Sequence, residues 1–225
     1  MVKKLRRRIT LNSYSMTIAH PWHGIPAGEN APEIVTVFIE MVPQDTVKYE
    51  IDKLTGILKV DRPQKYSNLC PSLYGFIPQT LCASEVAAYA NQKTGGNLKG
   101  DDDPIDICVL TERPINHGFI KLQARPIGGF RLIDGGEADD KIIAVLKGDP
   151  AYDGFRDIND VPVGMIDRLR HYFLTYKQIP DWAGNGQPTC TISHVYGRAE
   201  AHEVILRSIK DYQNYVSTIQ PLQVK

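Results

Sequence analysis

The chain has 225 residues, of which 42% are hydrophobic and 23% are charged, so it can bury one sizeable core or two small ones and is not collagen-like, coiled-coil or disordered. Its 26 basic and 26 acidic residues give a formal net charge of zero, which argues against a protein that coats nucleic acid through bulk charge. No apolar run approaches the roughly 20 residues of a transmembrane helix, so no membrane partner is expected.

The N-terminus is basic, with five Lys and Arg residues within positions 3–8 and no acidic residue in 1–19. No apolar stretch of signal-peptide length follows, so the sequence predicts a disordered arm over 1–18 and a single domain over 19–225. An organelle-type transit arm is the alternative for the basic segment. The four cysteines form no C-x-x-C pair, which is typical of buried free thiols in a reducing compartment and predicts a cytoplasmic location.

Short strand patterns dominate the middle of the chain. They show apolar and polar alternation and are separated by segments rich in Gly, Pro and Asp. Between them, a loop dense in Tyr, Pro and Cys is predicted over 66–78 and a surface excursion over 84–100. The predicted strands are 36–40, 47–52, 57–60, 105–110, 119–125, 129–133 and 141–146.

Two amphipathic helices are predicted in the C-terminal half of the chain. The first has Asp160 as its expected N-cap and ends before Pro180, and the second carries an apolar stripe from Ala201 to Val216. Many strands followed by helices indicate an α+β fold that is mainly β. We expect an antiparallel barrel or sandwich with helices packed outside it.

The most informative motif is D-D-D-P-I-D-I over 101–107, which places four carboxylates within six residues. Such closely spaced like charges repel each other unless solvent or cations screen them. Carboxylate oxygens are hard ligands that suit Mg²⁺ or Mn²⁺. Taken alone, a solvated acidic turn remains the alternative.

A second acidic segment, D-G-G-E-A-D-D-K over 134–141, lies between two predicted strands and ends on a lysine. Lys48 and Glu50 share one strand face, Arg62 follows the next strand, and Lys177 ends the first helix. Each feature is ordinary by itself. Together they predict a site where acids hold cations and basic groups hold phosphoryl oxygens.

These motifs resemble the family I soluble inorganic pyrophosphatases. The family signature D-x-D-P-aliphatic-D-aliphatic is met at 101–107, and further blocks follow in the family's order over residues 33–180. The resemblance implies a five-stranded OB-type barrel with flanking strands, and Mg²⁺-dependent hydrolysis of pyrophosphate to two orthophosphates, with Mn²⁺ as a possible substitute. It also implies a homo-oligomer, of which the number of subunits stays open.

The resemblance further implies roles for individual residues. Asp103 would accept the proton of the attacking water, and Glu40 and Glu50 would act through water or through a further metal. The implied metal ligands are Asp101, Asp106, Asp134 and Asp139, and the implied phosphate ligands are Lys48, Arg62, Tyr74, Lys141, Tyr176 and Lys177.

The sequence departs from the compact bacterial pattern in three ways. Cys70 stands where a tyrosine is common, Leu73 stands where an asparagine is common, and residues 84–100 look like an insertion before the signature. Two other functions stay open: a divalent-metal phosphoesterase acting on organic phosphates, and an OB-type module that binds single-stranded nucleic acid. The second would need a basic groove with stacking aromatic residues. Because the polar clusters here are strongly acidic, we expect no nucleic-acid partner.

Overall fold

The structure is a computed structural model that describes residues 19–177 and 189–218. The predicted basic arm over 1–18 lies outside the described residues, and so does Pro180, the expected stop of the first helix. The single domain over 19–225 stays a prediction. Within the described part, no helix is long and apolar enough to cross a membrane.

The described residues form ten strands and three α-helices, with a short 3-10 turn at Ile158–Asp160. The strands are β1 (Val35–Met41), β2 (Val47–Ile51), β3 (Leu58–Pro63), β4 (Leu73–Phe76), β5 (Lys99–Gly100), β6 (Asp106–Leu110), β7 (Ile120–Asp134), β8 (Glu137–Ala138), β9 (Lys141–Leu146) and β10 (Cys190–Gly197). The helices are α1 (Ser84–Thr94), α2 (Val163–Thr175) and α3 (Arg198–Thr218).

Five of the strands close into a barrel. Strand β1 pairs antiparallel with β4 and with β7, β4 pairs antiparallel with β6, β6 pairs parallel with β9, and β9 pairs antiparallel with β7. Inward-facing side chains fill a barrel of this size, and Val37, Ile107 and Ala144 are fully buried in it. The predicted class, mainly β with an OB-type barrel and two helices in the C-terminal half, is confirmed.

The strands predicted over 119–125 and 129–133 are one continuous strand, β7. Pro126 suggests a break between them, but it lies where the pairing with β9 is irregular, between Pro126 and Gly128, and strands tolerate proline at such positions. The first half of β7 pairs with β1 and its second half with β10. This length carries the end of β7, and with it Asp134, to one end of the barrel.

Strand β4 lies inside the predicted loop over 66–78, so that part of the prediction is wrong. Gly75 makes the segment look like a turn, but the strand needs a residue without a side chain there. A Cβ atom on Gly75 would lie 1.9 Å from the carbonyl oxygen of Phe38 in the neighbouring β1. Close contact between two backbones, rather than a turn, therefore explains this glycine.

The predicted surface excursion over 84–100 is also wrong, because helix α1 occupies most of it. The buried residues Val86, Ala87 and Ala90 pack toward the core. Two of these three are alanines, so the apolar stripe of the helix is weak in the sequence. The helix ends at Gly95, which adopts the left-handed conformation with a φ of 68° that glycine accommodates readily.

The helices predicted in the C-terminal half exist, with two corrections. Asp160 does not cap α2, because its side chain closes the preceding 3-10 turn by accepting a hydrogen bond from the backbone N–H of Asp157 at 3.0 Å. On α3, Ala201 and Tyr212 are buried as expected, but Val216 at the end of the predicted stripe is 46% exposed. Strand β10, which separates the two helices, has no counterpart among the predicted strands.

The N-terminus of α1 is capped by a residue from another helix. The buried carboxylate of Asp211 on α3 accepts hydrogen bonds from the backbone N–H groups of Ala83, Glu85 and Val86 at 3.0–3.1 Å. These donors have no partner within the helix itself. Asp211 therefore fixes α1 to α3, and the tie depends on a contact more than 120 residues away in the chain.

We expect Asp211→Ala to lower the free energy of unfolding by about 2 kcal/mol or more, because the variant leaves several buried N–H groups without an acceptor. For a chain of this size that corresponds to a fall in Tm of about 4–8 °C, measurable by thermal denaturation. Gln213→Ala, at an exposed position of the same helix, is the control. An equal change in Tm in both variants would contradict the capping role.

Candidate active site

An open cleft of about 630 Å³ at one end of the barrel gathers the charged residues that the sequence analysis singled out. Ten acidic and six basic side chains line it, so carboxyl groups outnumber cations by four. The acidic residues are Glu40, Glu50, Asp52, Asp61, Asp101, Asp103, Asp106, Asp134, Glu137 and Asp139, and the basic ones are Lys48, Lys53, Lys59, Arg62, Lys141 and Lys177. Tyr74 and Tyr176 also line the cleft, so all thirteen predicted site residues lie there.

The β2–β3 hairpin forms one wall of the cleft. Lys48 on β2 is in register with Arg62 on β3, which brings two cationic side chains to the same place. Lys48 forms ion pairs with Glu50 and with Asp61, and Arg62 also contacts Asp61. Asp61 was not among the predicted site residues, although it directly precedes Arg62 in a segment that the family resemblance already contained.

Strands β6 and β9 carry the residues at the centre of the cleft. These strands are parallel, and Asp106 is in register with Lys141 at the start of both. The Lys141 ammonium group donates to Asp106 and to Asp139, and the Tyr74 hydroxyl donates to Asp106 as well. Burial disfavours the charge on Lys141, but the two carboxylates outweigh it and hold the pKa of Lys141 well above its usual value.

Two carboxyl groups in the cleft have raised pKa values. Burial, with repulsion from Asp139, raises the pKa of Asp101 to about 8. Burial also raises the pKa of Glu40 to about 8, although Glu40 accepts a hydrogen bond from the backbone N–H of Ile51 at 2.7 Å. A nearby divalent cation would favour the ionised form of both groups. The hard oxygen donors of the cleft therefore fit Mg²⁺ or Mn²⁺.

Several carboxylates of the cleft form ion pairs with lysine side chains. Lys177 pairs with Asp134 and Lys53 pairs with Asp103, in addition to the contacts of Lys141. Within the ranges 19–177 and 189–218, no three potential ligands are already gathered as a metal site. In this structure, lysine ammonium groups offset the charge of these carboxylates.

The turn over 101–104 presents Asp103 at the mouth of the cleft. The backbone N–H of Asp103 donates to the Asp101 carboxylate at 3.0 Å, and Asp102 adopts the left-handed conformation with a φ of 58°. Asp103 is half-exposed and pairs with Lys53, which follows β2. The sequence analysis missed Lys53, because its position in a turn gives no periodic signal. Asp52 shares the strand face of Glu50 and could have been found by alternation.

The end of α2 lines the cleft beside the hairpin. Tyr176 directly follows the helix, its ring is buried, and Arg62 lies 5.9 Å from the ring centroid. Lys177 is the next residue and reaches Asp134 at the end of β7. Asp134 also accepts a weak hydrogen bond from the Cys190 thiol at 3.3 Å, a contact with no signal in the sequence.

Cys70 lies behind the cleft rather than in it. Its side chain is buried in a cluster with Met41, Tyr74 and Cys108. The departure from the family's tyrosine at this position therefore affects the packing beneath Tyr74. All four cysteines are free and buried.

The chain is similar to several known proteins. A family model described as inorganic pyrophosphatase matches residues 37–213. The chain is 52% identical over 202 residues to the inorganic pyrophosphatase of Chlamydia caviae, covering 89% of this chain and 94% of that protein. It is 38% identical over 217 residues to soluble inorganic pyrophosphatase 3 of Arabidopsis thaliana, covering 96% and 89%.

A solved structure is also similar. The crystal structure of the inorganic pyrophosphatase from Thermus thermophilus matches with a TM-score of 0.70 at 30% identity, covering 87% of this chain and 99% of that one. The similarity spans nearly the whole of each relative, so the barrel and its cleft are both included.

Proposed function

The chain belongs to the inorganic pyrophosphatase family and hydrolyses pyrophosphate with divalent metal ions, and from this we propose that Mg²⁺ is its cation and that the cleft described above is its active site. The observation that carries the proposal is the excess of carboxyl groups over basic groups in one cleft. A polyanionic substrate would avoid such a surface unless cations were bound there.

Four carboxylates are proposed to hold the cations: Asp101, Asp106, Asp134 and Asp139. Glu40 on β1 and Glu50 on β2 are proposed to act through water or a further ion. When bound, such cations lower the pKa of a water molecule toward neutrality and offset the charge of phosphoryl oxygens. The raised pKa of Asp101 supports its place in this set, because a cation relieves the repulsion from Asp139.

The lysines are proposed to exchange their partners when substrate binds. Lys141 and Lys177 contact carboxylates in the structure. The two ammonium groups would become available for phosphate if those carboxylates held cations. Lys48 and Arg62 reach the cleft from the hairpin wall, and Tyr176 reaches it from α2. This arrangement surrounds a diphosphate with basic and hydroxyl donors and holds it in line for attack.

Asp103 is proposed as the proton acceptor for the attacking water. It lies two residues from Asp101 and three from Asp106, so it can reach water held beside the cations. Lys53 pairs with the Asp103 carboxylate, so the Lys53 side chain must move aside before Asp103 can accept a proton. No covalent intermediate is required, because the attacking group is water itself.

A substrate and cation panel tests this proposal. We expect phosphate release from pyrophosphate with Mg²⁺, less with Mn²⁺, and little with Ca²⁺, whose looser and larger coordination misplaces the reacting groups. Release from nucleoside triphosphates or phosphomonoesters with Mg²⁺ should be at least about tenfold slower. A phosphomonoester lacks the second phosphate, and a nucleoside triphosphate carries further groups that a site shaped for two phosphates does not hold. Equal rates on organic phosphates would instead favour a general phosphoesterase.

Assembly and location are also proposals. We infer a homo-oligomer, which is supported by the exposed apolar residues Leu206, Tyr215 and Val216 on α3, and light scattering that shows a stable active monomer would contradict it. A cytoplasmic location is supported by the four free cysteines, and fractionation of the source cells would test it.

A further inference from the structure

A buried ion pair lies behind the cleft. Arg131 on β7 and Asp140, just before β9, both have side chains with 0% exposure, and the Arg131 Nε donates to Asp140 Oδ1 at 2.7 Å. Neither residue lines the cleft, and the family resemblance gives neither a role. Two fully buried charges at this place therefore need their own explanation.

Arg131 connects the cleft to the outer layer of the protein. Its Nη2 donates to Glu200 at the start of α3 at 3.3 Å. Its guanidinium group lies 5.4 Å from the ring centroids of Tyr89 on α1 and of Tyr196 on β10. Helices α1 and α3 and strand β10 therefore hold the guanidinium group. Its position is set by these elements rather than by the segment over 134–141.

Asp140 connects the same guanidinium group to two cleft residues. Its neighbours in the chain, Asp139 and Lys141, both line the cleft, whereas its own side chain points away into the interior. The backbone N–H of Asp139 donates to the carbonyl of Leu132 in β7 at 3.0 Å. Asp139 and Asp140 lie between β8 and β9, which both pair with β7. This hydrogen bond and the buried side-chain pair anchor the two residues further.

A gain in folding stability does not explain why this ion pair is buried. An apolar pair of similar volume is often as stable as a buried ion pair, or more so, because both charges must leave water. The buried Nη1 atom of Arg131 also lacks a hydrogen-bond partner within the described residues, which adds to the cost. The arrangement fixes a geometry at the expense of stability.

We propose that Arg131 and Asp140 are positioning residues, which hold Asp139 and Lys141 in place for cation and phosphate from behind the sheet. The proposal rests on the roles proposed above for those two cleft residues. Arginine suits the task because its planar fork can bind Asp140 and Glu200 at once. The effect on catalysis is indirect, since neither positioning residue reaches the substrate.

The test is the double variant Arg131→Met with Asp140→Leu, which leaves neither charge of the pair buried alone. We expect it to fold with a Tm close to that of the wild type, whereas kcat falls about 10–100-fold, as it does when outer partners of metal ligands are removed. Hydrogen exchange over 134–141, measured without cations, should become faster. This second readout does not depend on activity.

Arg131→Lys is a second variant, which keeps the positive charge but loses the planar guanidinium group. If the double variant does not fold, Arg131→Lys alone tests the positioning role. A folded Arg131→Lys enzyme with lower kcat and faster exchange supports the proposal. Wild-type kcat and exchange in a folded variant of either kind would overturn it. Arg125→Met is the control. Arg125 lies on the same strand as Arg131, and its replacement breaks an ion pair of 2.8 Å with Asp153, so neither readout should change.

Asp139→Asn separates this proposal from the proposed function. If Asp139→Asn keeps wild-type turnover, the roles assigned to the cleft residues are wrong. If Asp139→Asn is inactive while the folded Arg131 and Asp140 variants match the wild type in kcat and exchange, only the positioning proposal fails.

Discussion

Asp103→Asn is expected to lower kcat for pyrophosphate hydrolysis at neutral pH by about 10²–10⁴-fold, the usual loss when a general base is removed. The amide keeps the size of the side chain and one acceptor oxygen but cannot take the proton of the attacking water. The remaining activity should rise toward alkaline pH, because solvent base must then remove that proton. Steady-state kinetics across a pH series measure both effects.

Asp102→Asn is the matched control for this variant. Asp102 is exposed, does not line the cleft and has a left-handed φ of 58°, which asparagine also tolerates. We expect its kcat and pH profile to match the wild type. Near wild-type turnover in Asp103→Asn, or a loss of activity that added Mg²⁺ fully reverses, would show that Asp103 is not the proton acceptor.

Removing divalent cations by chelation is expected to abolish turnover and also to lower Tm. Without cations, burial and then repulsion from Asp139 disfavour the ionised form of Asp101. A ligand present at 100 times its Kd stabilises the folded state by about 2.7 kcal/mol, which corresponds to about 5–10 °C in Tm for a chain of this length. Thermal denaturation with and without Mg²⁺ measures the shift, and added Mg²⁺ should restore turnover.

The matched variant for the cation experiment is Asp139→Asn, which removes one carboxylate from the centre of the cleft. Its Tm should respond much less to Mg²⁺ than that of the wild type. Full turnover in excess chelator would contradict the proposed mechanism outright. A Tm shift of equal size in Asp139→Asn would place the stabilising cation elsewhere in the protein.

The residues of the candidate site could be predicted because their spacing is local. The carboxylates of 101–107 lie in one short segment, and those of 134–141 lie in another. Within each segment they stay close together whatever the arrangement of the barrel strands. Strands such as β9 were also predictable, since an unbroken apolar run identifies a buried strand. In each case the signal lies within a few neighbouring positions.

The features that were missed depend on contacts between distant segments. Gly75 looks like a turn residue until the backbone of β1 is placed against it, and α1 has few large apolar residues because α3 packs closely on it. The pairing of Lys53 with Asp103 joins two turns that are far apart in the chain. Local propensity carries no information about such contacts, because they exist only once the barrel is closed.

A crystal structure with Mn²⁺ and imidodiphosphate, a non-hydrolysable analogue of pyrophosphate, tests the central assignment most directly. Anomalous scattering from Mn²⁺ would locate the cations without reference to the protein model. We predict peaks coordinated by Asp106 and Asp139, with Lys141 moved from its carboxylate partners to the analogue and Asp103 off the metals. Peaks outside the cleft, or a cation coordinated by Asp103 while Asp106 and Asp139 stay paired with Lys141, would contradict the account.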